Sequence, residues 1–551
     1  MGLSDTDSHE KKHGDVETSP PMGDVEVGEH GQLKRQLKGR HMQMIAIGGS
    51  IGAGLFVGSG ASLNAGGPLF LVVDYAIIGL MLLLTVNALG ELASIYPVAG
   101  SFYDYSVRFI DPAWGFAMGW NYVLNWLIVL PFELTAAGIT IAFWTDSMEH
   151  PINVAVWITI FLVMVTVINV CGVRGYGEVE FVLGIIKVVA IIGFIILGII
   201  IDCGGVPTDN RGYIGAKYWH NPGATKNGFK GFCAVFVNAS FAFGGTELVG
   251  LAAAEAANPR KTIPKATKQV FWRISLFYII SLFILGLIVP SDDEDLSSAS
   301  GANTKFSPFV LSMRLAGIKV LPSIFNAVIT ISVISVANSC TFASTRTIQA
   351  LCNRGMGPRI LAKIDSKGRP YWALILALAF GLLAYINCAP QGGTVFTWLL
   401  SISGLSNFFT WGSICFAHIR FRKAWAMNGR TTHDLPFAAM FGVIGSWIGL
   451  GLNIMCLIAQ FYVALFPIGG TPTGGVEAFF ESYLAAPFVL ACFIGYKIYE
   501  RTFKFGVNLS EIDIDAGRRE LDFAGLRQEL DDERAMKASW PAWKRWWDFI
   551  M

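Results

Sequence analysis

Charge is what this 551-residue chain has least of. Asp, Glu, Lys and Arg together make up 15% of it, against about a quarter in an ordinary globular domain. With 41 basic and 40 acidic side chains the net charge is +1. The basic residues are spread over loops and not gathered on one face, so a nucleic-acid partner is not expected. Metal-ligand spacing is also missing. The nine cysteines form no CxxC or Cys/His pattern, and most (Cys171, Cys340, Cys388, Cys415, Cys456, Cys492) sit in or beside apolar stretches as packing residues. No carboxylate pair or nucleophile–base set has a usable spacing. The chain does not read as an enzyme, and neither a cofactor nor a metal is expected.

What the chain has is apolar length. Hydrophobic residues make up 53% of it. Stretches near the roughly 20 residues needed to cross a bilayer fall at 43–63, 69–95, 115–143, 152–171, 181–201, 231–253, 271–289, 321–343, 371–388, 395–417, 440–465 and 483–500. They predict an all-α polytopic membrane protein of twelve spans embedded in lipid. If the N-terminus is cytosolic, the inner loops hold Arg260 to Lys268, Arg346 to Arg369 and Arg420 to Arg430, while the outer loops include the acidic run Asp292 to Asp295. That is the positive-inside bias, and it puts both termini in the cytosol. Residues 1–40 are polar and expected to be disordered. Residues 41–500 form the membrane domain and 501–551 a cytosolic tail. In that tail Trp540, Trp543, Trp546 and Trp547 interleave with Lys544 and Arg545, a mix that suits either a membrane interface or packing on the inner face.

Two spans are broken by glycines beside a polar residue: Gly48-Gly49-Ser50-Ile51-Gly52-Ala53-Gly54 and Phe241-Ala242-Phe243-Gly244-Gly245-Thr246-Glu247. An unwound turn inside a membrane exposes backbone groups that lipid cannot satisfy, so it persists where it lines a cavity. The breaks open two sets of five spans, 41–202 and 230–420, as in an inverted-topology repeat, which leaves 440–500 as two added helices. This pairing points to a secondary transporter with its substrate site at the breaks. Free N–H groups at the start of a half-helix suit a carboxylate.

Three ionisable residues are read as lying inside spans, where a charge costs at least about 2.5–3.5 kcal/mol: Glu133, Lys187 and Glu247. Lys187, removed from water, can give up its proton during a cycle, or can snorkel or hold a static ion pair with Glu133 or Glu247. Glu247 can carry a proton or cap the second break's N–H groups.

Several long motifs resemble those of fungal amino-acid permeases: IGGSIGAGLFVGSG in the first span, Gly67-Pro68 followed by Gly90-Glu91 and Pro97 around the second, and FAFGGTELVGLAAAEAANPRKTIPKATKQVFWR from Phe241 to Arg273. The likeness covers roughly residues 30–505. It implies membership of the amino acid–polyamine–organocation superfamily, whose LeuT-like fold is a five-plus-five inverted repeat with two added helices. It implies that Ser50, Ile51, Gly52 and Gly54 hold the substrate carboxylate and that carbonyls of Phe241, Ala242 and Gly244 receive the α-ammonium, with the Phe241 ring covering the substrate. Glu133 matches a substrate-binding position. Lys187 matches the span-five lysine that replaces a sodium ion in proton-coupled relatives. Ser335, Asn338, Ser339 and Ser403 match regions that shape the side-chain pocket, although such residues also tie helices together. Glu91 with Pro97, and Arg108, are expected to fix fold and gating.

The expected function is amino-acid import across a fungal plasma membrane, coupled to protons, with broad or neutral-weighted selectivity. The alternative is a nutrient receptor of the same fold, a class whose members carry a far longer N-terminal extension. Lys11, Lys12, Lys34 and Lys38 are expected ubiquitin acceptors, as in similar permeases.

Overall fold

The computed structural model describes residues 44–45, 48–98, 100–145, 152–256, 259–297, 307–366, 368–388, 392–469, 475–516, 528, 531–532 and 535–545. Lys11, Lys12, Lys34, Lys38, Trp546 and Trp547 lie outside them. Among the described residues the chain is helical, with no strand. Among those residues, seven helices are long and apolar enough to cross a membrane: Gly58–Ile95, Pro112–Thr145, Gly175–Asp202, Gly228–Glu255, Leu321–Asn353, Tyr371–Cys388 and Gly442–Leu465. Val154–Val170, Phe277–Ile288 and Ala485–Tyr499 are shorter apolar helices. The protein is therefore a multi-pass membrane protein.

The helices used below are α1 (Ala53–Phe56), α2 (Gly58–Ile95), α3 (Ser101–Phe109), α4 (Pro112–Thr145), α5 (Val154–Val170), α6 (Val173–Asp202), α7 (Gly228–Phe243), α8 (Leu248–Ala252), α9 (Pro259–Ile288), α10 (Pro308–Leu315), α11 (Leu321–Asn353), α12 (Tyr371–Gly381), α13 (Gly392–Met427), α14 (Gly442–Leu465), α15 (Gly475–Tyr483) and α16 (Ala485–Tyr499). The tenth expected span falls within α13, a 36-residue helix. The first two expected spans do not separate cleanly. The C-terminal half of the first runs into the second through α2, and the corner is one residue, Gly67, at φ +81 just before Pro68. Glycine is required there twice over: the conformation is left-handed, and a Cβ would meet the Ala224 carbonyl oxygen at 2.9 Å.

The polarity of the surfaces sorts the helices. Most of α4 and α11 is buried, whereas α6 and α14 turn Val182, Ile185, Val189, Ile196, Ile444, Trp447 and Ile458 outward. An apolar outer face on a long helix is what lipid contact selects. The most extensive packing joins α4 to α11, and α2 to α7 and α9. Elements from the first and second halves of the chain thus meet pairwise around one core.

At the end expected to face the cytosol, Glu91 of α2 is buried beside His418 (Oε1 to Nε2, 3.0 Å) and Arg422 (Oε1 to Nε, 2.6 Å), both of α13. It also accepts the Ala439 N–H at 2.6 Å. That is the fold-fixing place expected of it. Arg108 donates to the Asp513 carbonyl, within a tail segment that packs on this face. Val507 N–H donates to Ile110 O at 2.9 Å, and Tyr96 Oη to Ile514 O at 2.6 Å. Up to residue 516 the tail therefore packs on the protein. Trp543 is 72% exposed.

Candidate functional site

Both glycine segments are breaks. After a turn of helix at 48–50 the first bends at Ile51 and Gly52, and α1 starts at Ala53. The second interrupts the chain between α7 and α8 at residues 244–247, with Gly245 at φ +97. Each break fits against the other without room for side chains. A Cβ on Gly245 would lie 2.5 Å from Gly49 O, and one on Gly54 would lie 2.5 Å from Ala242 Cα. Tyr278 of α9 clasps the two, its hydroxyl 2.9 Å from Ser50 O and 2.7 Å from Ala242 O. One hydroxyl proton serves both carbonyls.

Between the breaks and α4 lies a cavity of about 20 Å³, room for roughly one water. It is lined by Ser50, Gly52, Gly54, Glu133, Phe241, Gly244 and Ser403 among the expected site residues, and by Gly49, Asn125, Trp126, Val129, Val336 and Asn407 besides. The Phe241 ring stands edge-on to Phe132, centroids 4.9 Å apart. Glu133 receives a hydrogen bond from the Ala53 backbone N–H, while its Oε2 is buried with no partner. Asn125 presents a second such oxygen. Asn407 Nδ2 donates to the Ser240 carbonyl (3.1 Å) and Asn125 Nδ2 donates to Asn407 Oδ1 (3.2 Å). A carbonyl only accepts, which fixes both amides, and Asn125 Oδ1 is left without a donor. Two unpartnered acceptors on one wall suit a ligand rich in N–H, and buried polar atoms are seldom left unpaired without a reason.

The other expected residues lie outside the cavity lining. Ile51 is buried in the core, and the Ala242 carbonyl faces Tyr278. Asn338 of α11 is turned away, donating to Glu180 Oε1 (3.0 Å) and accepting from Asn169 (2.7 Å). Ser335 also meets Glu180, and Ser339 Oγ lies 3.1 Å from Tyr176 Oη. Lys187, fully buried, makes no ion pair with Glu133 or Glu247 and donates to Gly48 O at 2.6 Å. Glu247 does what a cap does. Its oxygens lie 3.3 and 3.2 Å from Gly245 N, and they accept from Tyr122 Oη (3.2 Å) and Trp411 Nε1 (3.2 Å).

Sequence reasoning missed Asn125, Asn407, Tyr278 and two further ionisable groups inside helices, Asp74 and Glu180. Both are fully buried, and neither oxygen of Asp74 has a hydrogen-bond partner. Spacing could have found three of them. Asn407 follows Ser403 by four residues, Asn125 precedes Glu133 by eight and Glu180 precedes Lys187 by seven, each on one helix face.

A family model described as "Amino acid permease" matches residues 41–508. Among similar proteins, "General amino-acid permease GAP1" of Saccharomyces cerevisiae is 49% identical, with 97% of this chain and 89% of that protein covered. "General amino-acid permease GAP2" of Candida albicans is 51% identical, covering 93% and 86%. "Cationic amino acid transporter 1" of Schizosaccharomyces pombe is 54% identical, covering 92% and 85%. These relatives are transporters and not enzymes.

Proposed function

Given that the chain belongs to the amino acid permease family, we propose that it imports amino acids across a fungal plasma membrane as a proton symporter of broad or neutral-weighted selectivity. The observation that carries this reading is the pair of facing breaks around a cavity walled by the free oxygens of Glu133 and Asn125. The carboxylate sits at the Ser50 to Gly54 break, where a half-helix begins, and the ammonium meets Glu133 and Asn125. At about 20 Å³ the cavity is too small for an amino acid, which enters only after it widens. Alternating access supplies the widening: spans 1, 2, 6 and 7 rock against 3, 4, 8 and 9 within an inverted repeat, a division that the packing of α2 with α7 and α9, and of α4 with α11, supports.

Proton coupling rests on Lys187, which holds the first break by the Gly48 carbonyl. An ammonium there ties span 5 to span 1 by a charge-assisted hydrogen bond, and loss of its proton weakens that tie. The test is labelled uptake in a permease-deleted host, with all twenty amino acids as competitors, lysine and arginine included because one relative is named for cationic substrates. Uptake should collapse with a protonophore and ignore sodium. Lys187→Ala should reach the surface yet fail to accumulate substrate; normal uphill uptake in that variant refutes the coupling role.

A further inference from the structure

Glu180 is used by no step so far, lies outside the cavity lining and is fully buried. It stands seven residues before Lys187 in α6, two turns back on the same face. Both groups act on one residue of the broken span. Lys187 Nζ donates to Gly48 O at 2.6 Å, and a Cβ built on Gly48 would lie 2.1 Å from Glu180 Oε2. From the other side α11 supplies Ser335 Oγ to Oε2 (2.6 Å) and Asn338 Nδ2 to Oε1 (3.0 Å).

The direction of this chain of hydrogen bonds is fixed. Asn169 Nδ2 donates to the Val165 carbonyl (2.9 Å) and to Asn338 Oδ1 (2.7 Å). The Val165 oxygen can only accept, so Asn338 must turn its NH₂ toward Glu180. Oε1 is therefore an acceptor in either protonation state. Only Oε2, between Ser335 and Gly48, has room for a proton. The other ionisable neighbours are Tyr176 one turn earlier, Cys340 of α11, and, across Lys187, Glu133 of α4.

We infer that Glu180 is the counter-charge of Lys187 and the positioning residue that ties loss of the lysine proton to movement of the first-span break. The inference rests on the proton-coupled reading above. With Lys187 protonated, ammonium and carboxylate balance beside Gly48, which the ammonium holds by its carbonyl and the carboxylate packs against. When the Lys187 N–H bond breaks and the proton leaves to the inner solution, a neutral amine remains beside a buried carboxylate that has lost its counter-ion. A buried charge without its partner is strongly unfavourable. Deprotonation therefore proceeds only as the Gly48 break moves off and water reaches Glu180. Without the carboxylate, Lys187 loses its proton at no such cost, and substrate moves without the proton.

Glu180→Gln tests this, because its carbonyl can keep Asn338 and its NH₂ can face the Ser335 hydroxyl. In vesicles bearing the full chain, substrate exchange without a gradient should stay within about threefold of the parent protein, while proton-driven accumulation falls tenfold or more and acid stimulation of uptake flattens. The Glu180→Gln/Lys187→Met pair, neutral at both positions, should accumulate no less than Glu180→Gln alone, since groups acting as a unit are not additive. Glu180→Asp should recover part of the pH profile. If the parent protein is proton-driven and Glu180→Gln keeps its accumulation and pH profile, Glu180 has no such role. If exchange and accumulation fall together in both Glu180→Gln and the neutral pair while the protein is folded in the membrane, the residue is structural and the inference is overturned. A parent protein that accumulates substrate regardless of a protonophore removes proton coupling itself, and this inference with it.

Discussion

Replacing Glu133 by Gln separates substrate recognition from the other tasks of a buried carboxylate. The side chain has one bond to keep, from the Ala53 N–H, and one oxygen without a partner on the cavity wall. Gln can keep the first through its carbonyl. It then offers an NH₂ where the carboxylate oxygen stood, so a substrate ammonium meets a donor. A hydrogen bond involving a charged group contributes about 1.5–3 kcal/mol. At 1.4 kcal/mol per decade this predicts an apparent Michaelis constant raised about 10- to 150-fold with the maximal rate little changed. Asn125→Ala removes the neighbouring acceptor, a neutral group with a net contribution of about 0.5–1.5 kcal/mol, so its rise should be about 2- to 12-fold. The assay is initial uptake rate against substrate concentration, normalised to surface protein. An unchanged constant with a reduced maximal rate in Glu133→Gln would refute the reasoning and move Glu133 to structure or coupling.

Gly54→Ala puts a methyl 2.5 Å from Ala242 Cα. Backbone cannot yield as a side chain does, so uptake should be lost with a destabilisation of about 1–3 kcal/mol, read as a lower melting point of the purified protein; wild-type uptake would mean that the breaks are looser than described. Replacing Lys11, Lys12, Lys34 and Lys38 together by Arg keeps the charge and removes the acceptor amines. Transport should be unaffected while nutrient-triggered endocytosis slows, and unchanged downregulation would place that control elsewhere. At the tail, burial pushes the Asp111 carboxyl up, but Lys497 and the Gly506 and Ala113 N–H groups outweigh it and hold it below the usual carboxylate range. Tail docking should therefore persist at neutral and mildly acidic pH and weaken only as pH falls through that lowered value. Asp111→Asn should make the segment near Phe505 cleave faster under limited proteolysis at neutral pH, and equal cleavage would detach Asp111 from docking.

The membrane-length helices and the two breaks were legible because each is a local signal. An apolar run has a length, and glycines crowded into one have few bland explanations. Ser50, Gly52, Gly54, Phe241 and Gly244 of those breaks line the cavity, together with Glu133, marked by its charge within a span, and Ser403, marked by the family resemblance. Isolated polar residues carried no such signal. Asn338, expected to shape the pocket, serves the Glu180 chain, while Asn125 and Asn407, passed over, line the cavity. A polar side chain inside a span ties helices as readily as it binds a ligand, and only the rotation of one helix against another decides between them. Tyr278 and Glu180 were hidden for the same reason, since each acts on a backbone group far away in sequence. The corner at Gly67 was missed because a one-residue turn leaves no polar loop to see.

That corner bears on how the outer face can open. The segment that wraps it, Ala224 to Lys226, ends two residues before α7 begins. It is stitched to the corner by Leu69 N–H to Ala224 O and Lys226 N–H to Gly66 O, both 2.9 Å, and by Lys226 Nζ to Asn64 Oδ1 at 2.7 Å. The outer arm of the first broken helix, the start of its successor and the outer arm of the second broken helix thus share one knot. If the face opens by the rocking proposed above, the two arms are expected to move as one lever, and lengthening the chain by a few glycines at Ala224 should let them act separately.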